Sequence, residues 1–143
     1  MKKGSRHKKP QHGFFSSLQQ LQHLLLLSSN HTASFGRPFF LLKMKLLLKE
    51  HLEILPKIGE QEGNPELIAY VKLFTPWTFW TWYIAEHNPE TGECFGYVEG
   101  QEKELGYFDL NELKAIKGPV GLFVERDILF EPQTINSIKK ANA

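Results

Sequence analysis

Glu86, Glu104, Glu125, Arg126 and Asp127 are the residues of this chain whose chemistry comes nearest to a reacting centre. Paired carboxylates can do acid–base work when their surroundings push their pKa values apart. Arg126 adds a rigid five-donor fork able to clamp two carboxylates, and Glu104 is the partner expected for it across a sheet. A Glu-Arg-Asp run at the start of a strand is more often a structural ion pair with backbone caps, and a buried clamp is the reading adopted here. Cys94 lies seven residues from His87 across a turn, so a thiol–imidazole pair is conceivable. A small buried thiol in a strand is the commoner case.

Other chemistries lack their parts. After Met44 the only serine is Ser137, near the tail, which leaves a Ser-His-acid arrangement without a nucleophile. His51, His87 and the scattered carboxylates show no metal-ligand spacing, and there is no glycine-rich phosphate loop or dinucleotide fingerprint. No metal and no cofactor is expected. The single cysteine, Cys94, rules out an internal disulfide or a multi-cysteine metal site, and suits a reducing cytoplasm.

The element that must position these groups is the stretch Trp77 to Glu86, which holds all three tryptophans. Its aromatic, β-branched and Thr residues favour a strand, with side chains alternating between two faces. Trp80, Trp82 and Ile84 then point one way, and Phe79, Thr81, Tyr83 and Ala85 the other. Both faces are apolar, so an inner strand covered on both sides is expected. Core packing is the first reading of Trp80 and Trp82; a stacking or ligand surface is the second.

Around this strand, Lys45 to Leu55 reads as an amphipathic helix with Leu48, Leu52 and Leu55 on its stripe, ended by Pro56. Ile68 to Phe74 reads as a strand whose Ala69, Val71 and Leu73 share one face. Turn residues in His87–Glu93 and Gly100–Lys103 separate further strands at Cys94–Glu99 and Leu105–Phe108. Asp109 followed by Glu112 is a capping-box pattern, with Leu110, Leu113 and Ile116 as the buried stripe and Gly118-Pro119 as the stop. Ile128–Phe130 reads as a last strand, and Thr134–Ala143 as a helical turn or frayed tail.

Several of these segments resemble one family when taken together. Thr81-Trp82-Tyr83, Phe95-Gly96, Glu104-Leu105-Gly106-Tyr107-Phe108 leading into Leu110-x-Glu112-Leu113, and Gly118 to Phe130 occur in the order of a bacterial domain-of-unknown-function family, number twenty-nine fifty-eight. The resemblance covers about residues 46 to 137. It implies a small stand-alone protein of plasmids, phages and integrated mobile elements, with no agreed activity. Trp77, Phe79 and Phe123 depart from the family pattern, which calls for small or polar residues at the first two and Pro at the third.

Composition divides the chain near Met44. Residues 1–43 hold seven Lys or Arg and no acid, whereas residues 44–143 hold ten Lys or Arg against sixteen Asp or Glu, 10 − 16 = −6. The first segment is expected to be disordered or a non-native extension of the reading frame, with translation starting at Met44. A secretory signal, a transit peptide or a basic arm on nucleic acid are the alternatives. Apolar runs such as Leu24–Leu27 fall far short of the ~20 residues of a membrane-spanning helix.

The expectation is therefore one α+β domain over 44–143, a small antiparallel sheet of four or five strands with two packed helices. Its expected role is that of a non-catalytic, cytoplasmic accessory protein of bacterial mobile elements whose partner is a protein. Nucleic acid is disfavoured for 44–143 by its net negative charge. The alternative is a small enzyme or ligand-binding domain. The candidate binding or structural cluster is Trp80, Trp82, Glu86, Glu104, Tyr107, Glu125, Arg126 and Asp127.

Overall fold

The computed structural model describes residues 43–143, so the expectations for residues 1–42 lie outside the described residues. The helices are α1 (Lys49–Ile54), α2 (Leu110–Ala115) and α3 (Ile135–Ala141). The strands are β1 (Ile68–Ala69), β2 (Val71–Phe74), β3 (Thr81–His87), β4 (Glu93–Glu99), β5 (Lys103–Asp109), β6 (Glu125–Arg126) and β7 (Gln133–Thr134). A five-stranded antiparallel sheet runs in the order β5-β4-β3-β2-β6, and β1 pairs with β7 in a second, two-stranded sheet. This is the small α+β fold expected, with a third helix.

The tryptophan strand is the middle strand, as its two apolar faces require. Trp80, Trp82 and Ile84 join Val71, Leu73, Val98, Phe108 and the α2 residues Leu110 and Leu113 in one core. Tyr83 on the opposite face joins Tyr97 and the α3 residues Ile135 and Ile138 in another. The strand begins only at Thr81, however. Pro76 forces a turn first, and Trp77 to Phe79 belong to it, held by a hydroxyl–hydroxyl hydrogen bond between Thr75 and Thr78. Close approach to glycine seats both neighbouring indoles: a Cβ on Gly100 would lie 2.5 Å from the Trp80 ring, and one on Gly118 2.7 Å from Trp77.

Three expected elements differ. Between Lys45 and Leu55 the helix is only six residues long and buries none of them; Leu46 and Leu55, just outside it, are the anchors. Burial alternates from Ala69 to Leu73 as expected, but the chain changes sheets at Tyr70, so Ala69 enters the α3 core while Val71 and Leu73 enter the tryptophan core. The strand expected at Ile128–Phe130 is instead Glu125–Arg126, because Asp127 opens a turn by accepting from the Leu129 N–H at 3.0 Å. Asp109 caps α2 as read, though its carboxylate accepts from the Asn111 N–H at 2.7 Å rather than pairing with Glu112; the helix ends at Ala115, before Gly118, and Leu110, Leu113 and Ile116 are buried.

Candidate binding groove

The eight candidate residues do not meet. Trp80 and Trp82 are 2% and 0% exposed, stacked with ring centroids 5.7 Å apart, and offer no surface for a ligand. Tyr107 packs against Phe95 at 4.9 Å on the β4–β5 side of the sheet. Glu104 is on β5 and Arg126 on β6, the two outermost strands, four strand spacings or about 19 Å apart. The expected Glu104–Arg126 clamp is thereby ruled out, and the hollows that Arg126 lines among the described residues include neither Trp82 nor Glu104. Arg126 lies half-buried, donating through its guanidinium to the Lys45 carbonyl, while its own N–H reaches the Met44 sulfur at 3.2 Å. The reason is topological: chain order does not reveal which strands end up at opposite edges.

Glu86 is a different kind of group. Fully buried after the β3 bulge between Ile84 and Glu86, it accepts from the Gly59 N–H at 2.6 Å and the Gln61 N–H at 2.7 Å. The Gln61 amide donates to the carbonyls of Ile68 and Ala85 and accepts from the Ile68 N–H, each at 2.9 Å. Together these side chains sew the 56–66 connection onto β3, which has no ladder of its own to hold it. Gln61 has no sequence signal beyond its position in a polar linker, and was missed for that reason.

His87 and Cys94 are brought together. Cys94 Sγ lies 3.4 Å from His87 Nδ1, both buried. Burial, with Asp109 and Glu93 nearby, drives the thiol pKa far upward, so the thiolate is suppressed. Burial also lowers the His87 pKa. A protonated thiol beside a neutral imidazole fits packing better than nucleophilic chemistry. Among the described residues, no group of three or more His, Cys, Asp or Glu could hold a metal ion.

Among the described residues, one open groove lies at the β2–β6 side. A groove of about 530 Å³ has Phe74, Thr81 and the 3.1 Å Lys72–Asp127 ion pair on its floor, with Glu125 and Arg126 beside them. Phe79 from the turn before β3 rims it on one side, and Ile128 and Leu129 from the turn after β6 on the other. These three side chains are 66%, 72% and 85% exposed. The groove lies where α3 does not cover its face of the sheet: the C-cap Asn142 sits toward β4 and β5, donating to Tyr83 and Glu99 and accepting from Lys103. Seven residues make a helix about 10 Å long and 10 Å wide, against about 19 Å between the outer strands. Tyr83 and Tyr97 lie under α3, and Phe74 and Thr81 on the same face stay half-exposed. Sequence reasoning missed Phe79, Ile128 and Leu129; the one signal was Phe79, an aromatic where the family pattern calls for a small or polar residue.

Fold and groove together define a small α+β module with an open groove, rimmed by apolar side chains, beside β6. The chain belongs to the family described as "Protein of unknown function (DUF2958)", whose model matches residues 46–143. No curated protein and no solved structure matches it. Among the described residues no helix is long and apolar enough to cross a membrane.

Proposed function

We propose that this chain is a non-catalytic accessory protein of bacterial mobile elements, and that it acts by binding a protein through the β2–β6 groove. The observation that carries the binding is the convergence of Phe79, Ile128 and Leu129 on one hollow. Large apolar side chains scattered singly over a surface need no explanation, whereas a contiguous set around a concave, charge-rimmed floor is the signature of an interaction site. The buried indoles, the suppressed thiolate and the separation of Glu104 from Arg126 favour binding over catalysis. The association with mobile elements rests on the family resemblance.

The test is affinity capture from cells that carry the gene, run in parallel with the natural chain and with Phe79→Ser/Leu129→Ser. Both residues are exposed, so the double variant should melt with the natural chain while losing its captured protein. Equal capture by the two chains would reject the groove as the docking surface.

A further inference from the structure

We infer that a second hollow, between α1 and β6, binds a small monocarboxylate, with Arg126 gripping the carboxylate head and Leu48, Ile128 and Phe130 lying against a short apolar tail. The inference goes beyond the docking reading and does not depend on which protein the groove takes.

The register of β6 separates two neighbouring charges. Glu125 pairs with Phe74 and leaves the strand on the groove side, whereas Arg126 pairs with Leu73 and leaves on the side of the tryptophan core. There Arg126 lines a hollow of about 210 Å³ with His51 and Tyr70. Its guanidinium spends one donor on the Lys45 carbonyl, which leaves four N–H donors. Among the described residues no carboxylate pairs with it. Asp127, beside it, is held by Lys72 at 3.1 Å and by the Leu129 N–H at 3.0 Å. Glu50, also on the hollow, is exposed and makes no ion pair among the described residues. A half-buried guanidinium without a counter-ion is uncommon, because charges withdrawn from water are ordinarily paired. A carboxylate, gripped bidentately, is the complement its fork fits.

His51 is the second donor. Its Nδ1 accepts from the Leu48 N–H at 3.0 Å, which fixes the neutral ring with its proton on Nε2. Burial and the Arg126 charge lower its pKa, against a smaller opposing pull from Glu50, so the ring stays neutral at pH 7. The Tyr70 hydroxyl has no hydrogen-bond partner among the described residues and is the third. Charge then sets the ligand class. With His51 neutral and Asp127 neutralised by Lys72, Arg126 offers one positive charge, and Glu50 stands close by. One negative charge is matched there, whereas phosphate, largely a dianion, meets repulsion. Size sets the rest. The hollow is smaller than the about 300–1,000 Å³ of sites for drug-sized ligands, so it holds a group the size of one side chain.

The test follows the His51 ring by NMR while the full chain is titrated with isovalerate near neutral pH. Saturable shifts with a millimolar dissociation constant are expected, together with a rise in the His51 pKa, since a bound anion favours the imidazolium. Sodium chloride at equal ionic strength should give no saturable shift, and inorganic phosphate should bind more weakly than isovalerate. Arg126→Gln keeps hydrogen-bonding capacity without the charge and should weaken binding by about tenfold or more. Tyr70→Phe should weaken it while leaving the packing of the ring unchanged. Glu50→Gln should tighten it, because that carboxylate no longer competes for the guanidinium. Neither Phe79 nor Leu129 lines this hollow, so the Phe79→Ser/Leu129→Ser chain should keep its isovalerate affinity whatever becomes of its captured protein. No saturable shift at His51, or undiminished binding by Arg126→Gln, overturns the inference. Phosphate binding tighter than isovalerate overturns the ligand class.

Discussion

Glu86 and Arg126 show how little a residue's type says about its role before its surroundings are known. A carboxylate with no exposure would be costly to bury, yet Glu86 receives two backbone N–H groups at 2.6 and 2.7 Å. Glu86→Ala leaves those donors buried without their acceptor and should cost about 3–5 kcal/mol in urea unfolding. Glu86→Gln keeps one good acceptor oxygen and should cost less. Arg126 reverses the expectation placed on it. With no carboxylate clamp to break and a half-buried position, Arg126→Ala should cost about 1 kcal/mol, one hydrogen bond to a carbonyl, measured the same way. A loss as large as that of Glu86→Ala would show that the arginine anchors the fold.

At the scale of elements, the turns carry more information than the strands. The turn at Pro119–Gly121 places Val120 at φ 50°, ψ 28°, a left-handed conformation that a β-branched residue resists. Val120 is exposed and lies outside both cores, so its side chain repays little of that strain. Val120→Gly should therefore stabilise the chain by about 1 kcal/mol, read as a rise in melting temperature. An unchanged or lower melting temperature would mean that the valine side chain contributes packing that its exposure hides. The seating of α3 has the opposite importance: docked over Tyr83 and Tyr97 with its end toward Glu99 and Lys103, it leaves Phe74 and Thr81 only half-covered beside the groove.

Across the whole molecule, the buried histidine sets how stability responds to acid. Burial holds the His87 pKa below its ordinary value of 6.5, so the unfolded chain takes up this proton at a higher pH than the folded one. Stability from this group is therefore complete above about pH 7, falls as pH drops below 6.5, and stops falling once the folded imidazole is protonated. His51, lowered by burial and by Arg126, adds to the same slope. Burial alone would raise the Asp127 pKa, but its bonds to Lys72 and the backbone outweigh that and hold it below its ordinary value of 3.8, so it responds only in stronger acid. Urea unfolding between pH 7.5 and 5.5 should show the loss, and His87→Gln should flatten it. A flat profile in the natural chain would contradict the buried neutral imidazole. We further propose that folding needs only Met44 onward, where the acidic composition begins and Leu46 enters the core. A chain starting there should melt within a few degrees of the full one; a lost or broadened transition would show that residues 1–43 contribute packing.

The amino-acid sequence by itself determined the β3 strand and its two faces, the β3–β4–β5 meander, and α2 with its Asp109 cap. Each rests on local physics: side-chain alternation along a strand, turn chemistry, and a capping carboxylate at the start of a helix. It also determined the family, through motifs in order along the chain. What it left open was decided only when the chain closed on itself. The jump between sheets at Tyr70, the placement of Glu104 and Arg126 at opposite edges, the burial of Glu86 under residues 59–61, and the half-covered floor beside α3 all depend on strand order and on where a distant helix docks. Contacts between residues far apart in sequence leave no periodicity in either segment, so the groove could be recognised only in three dimensions.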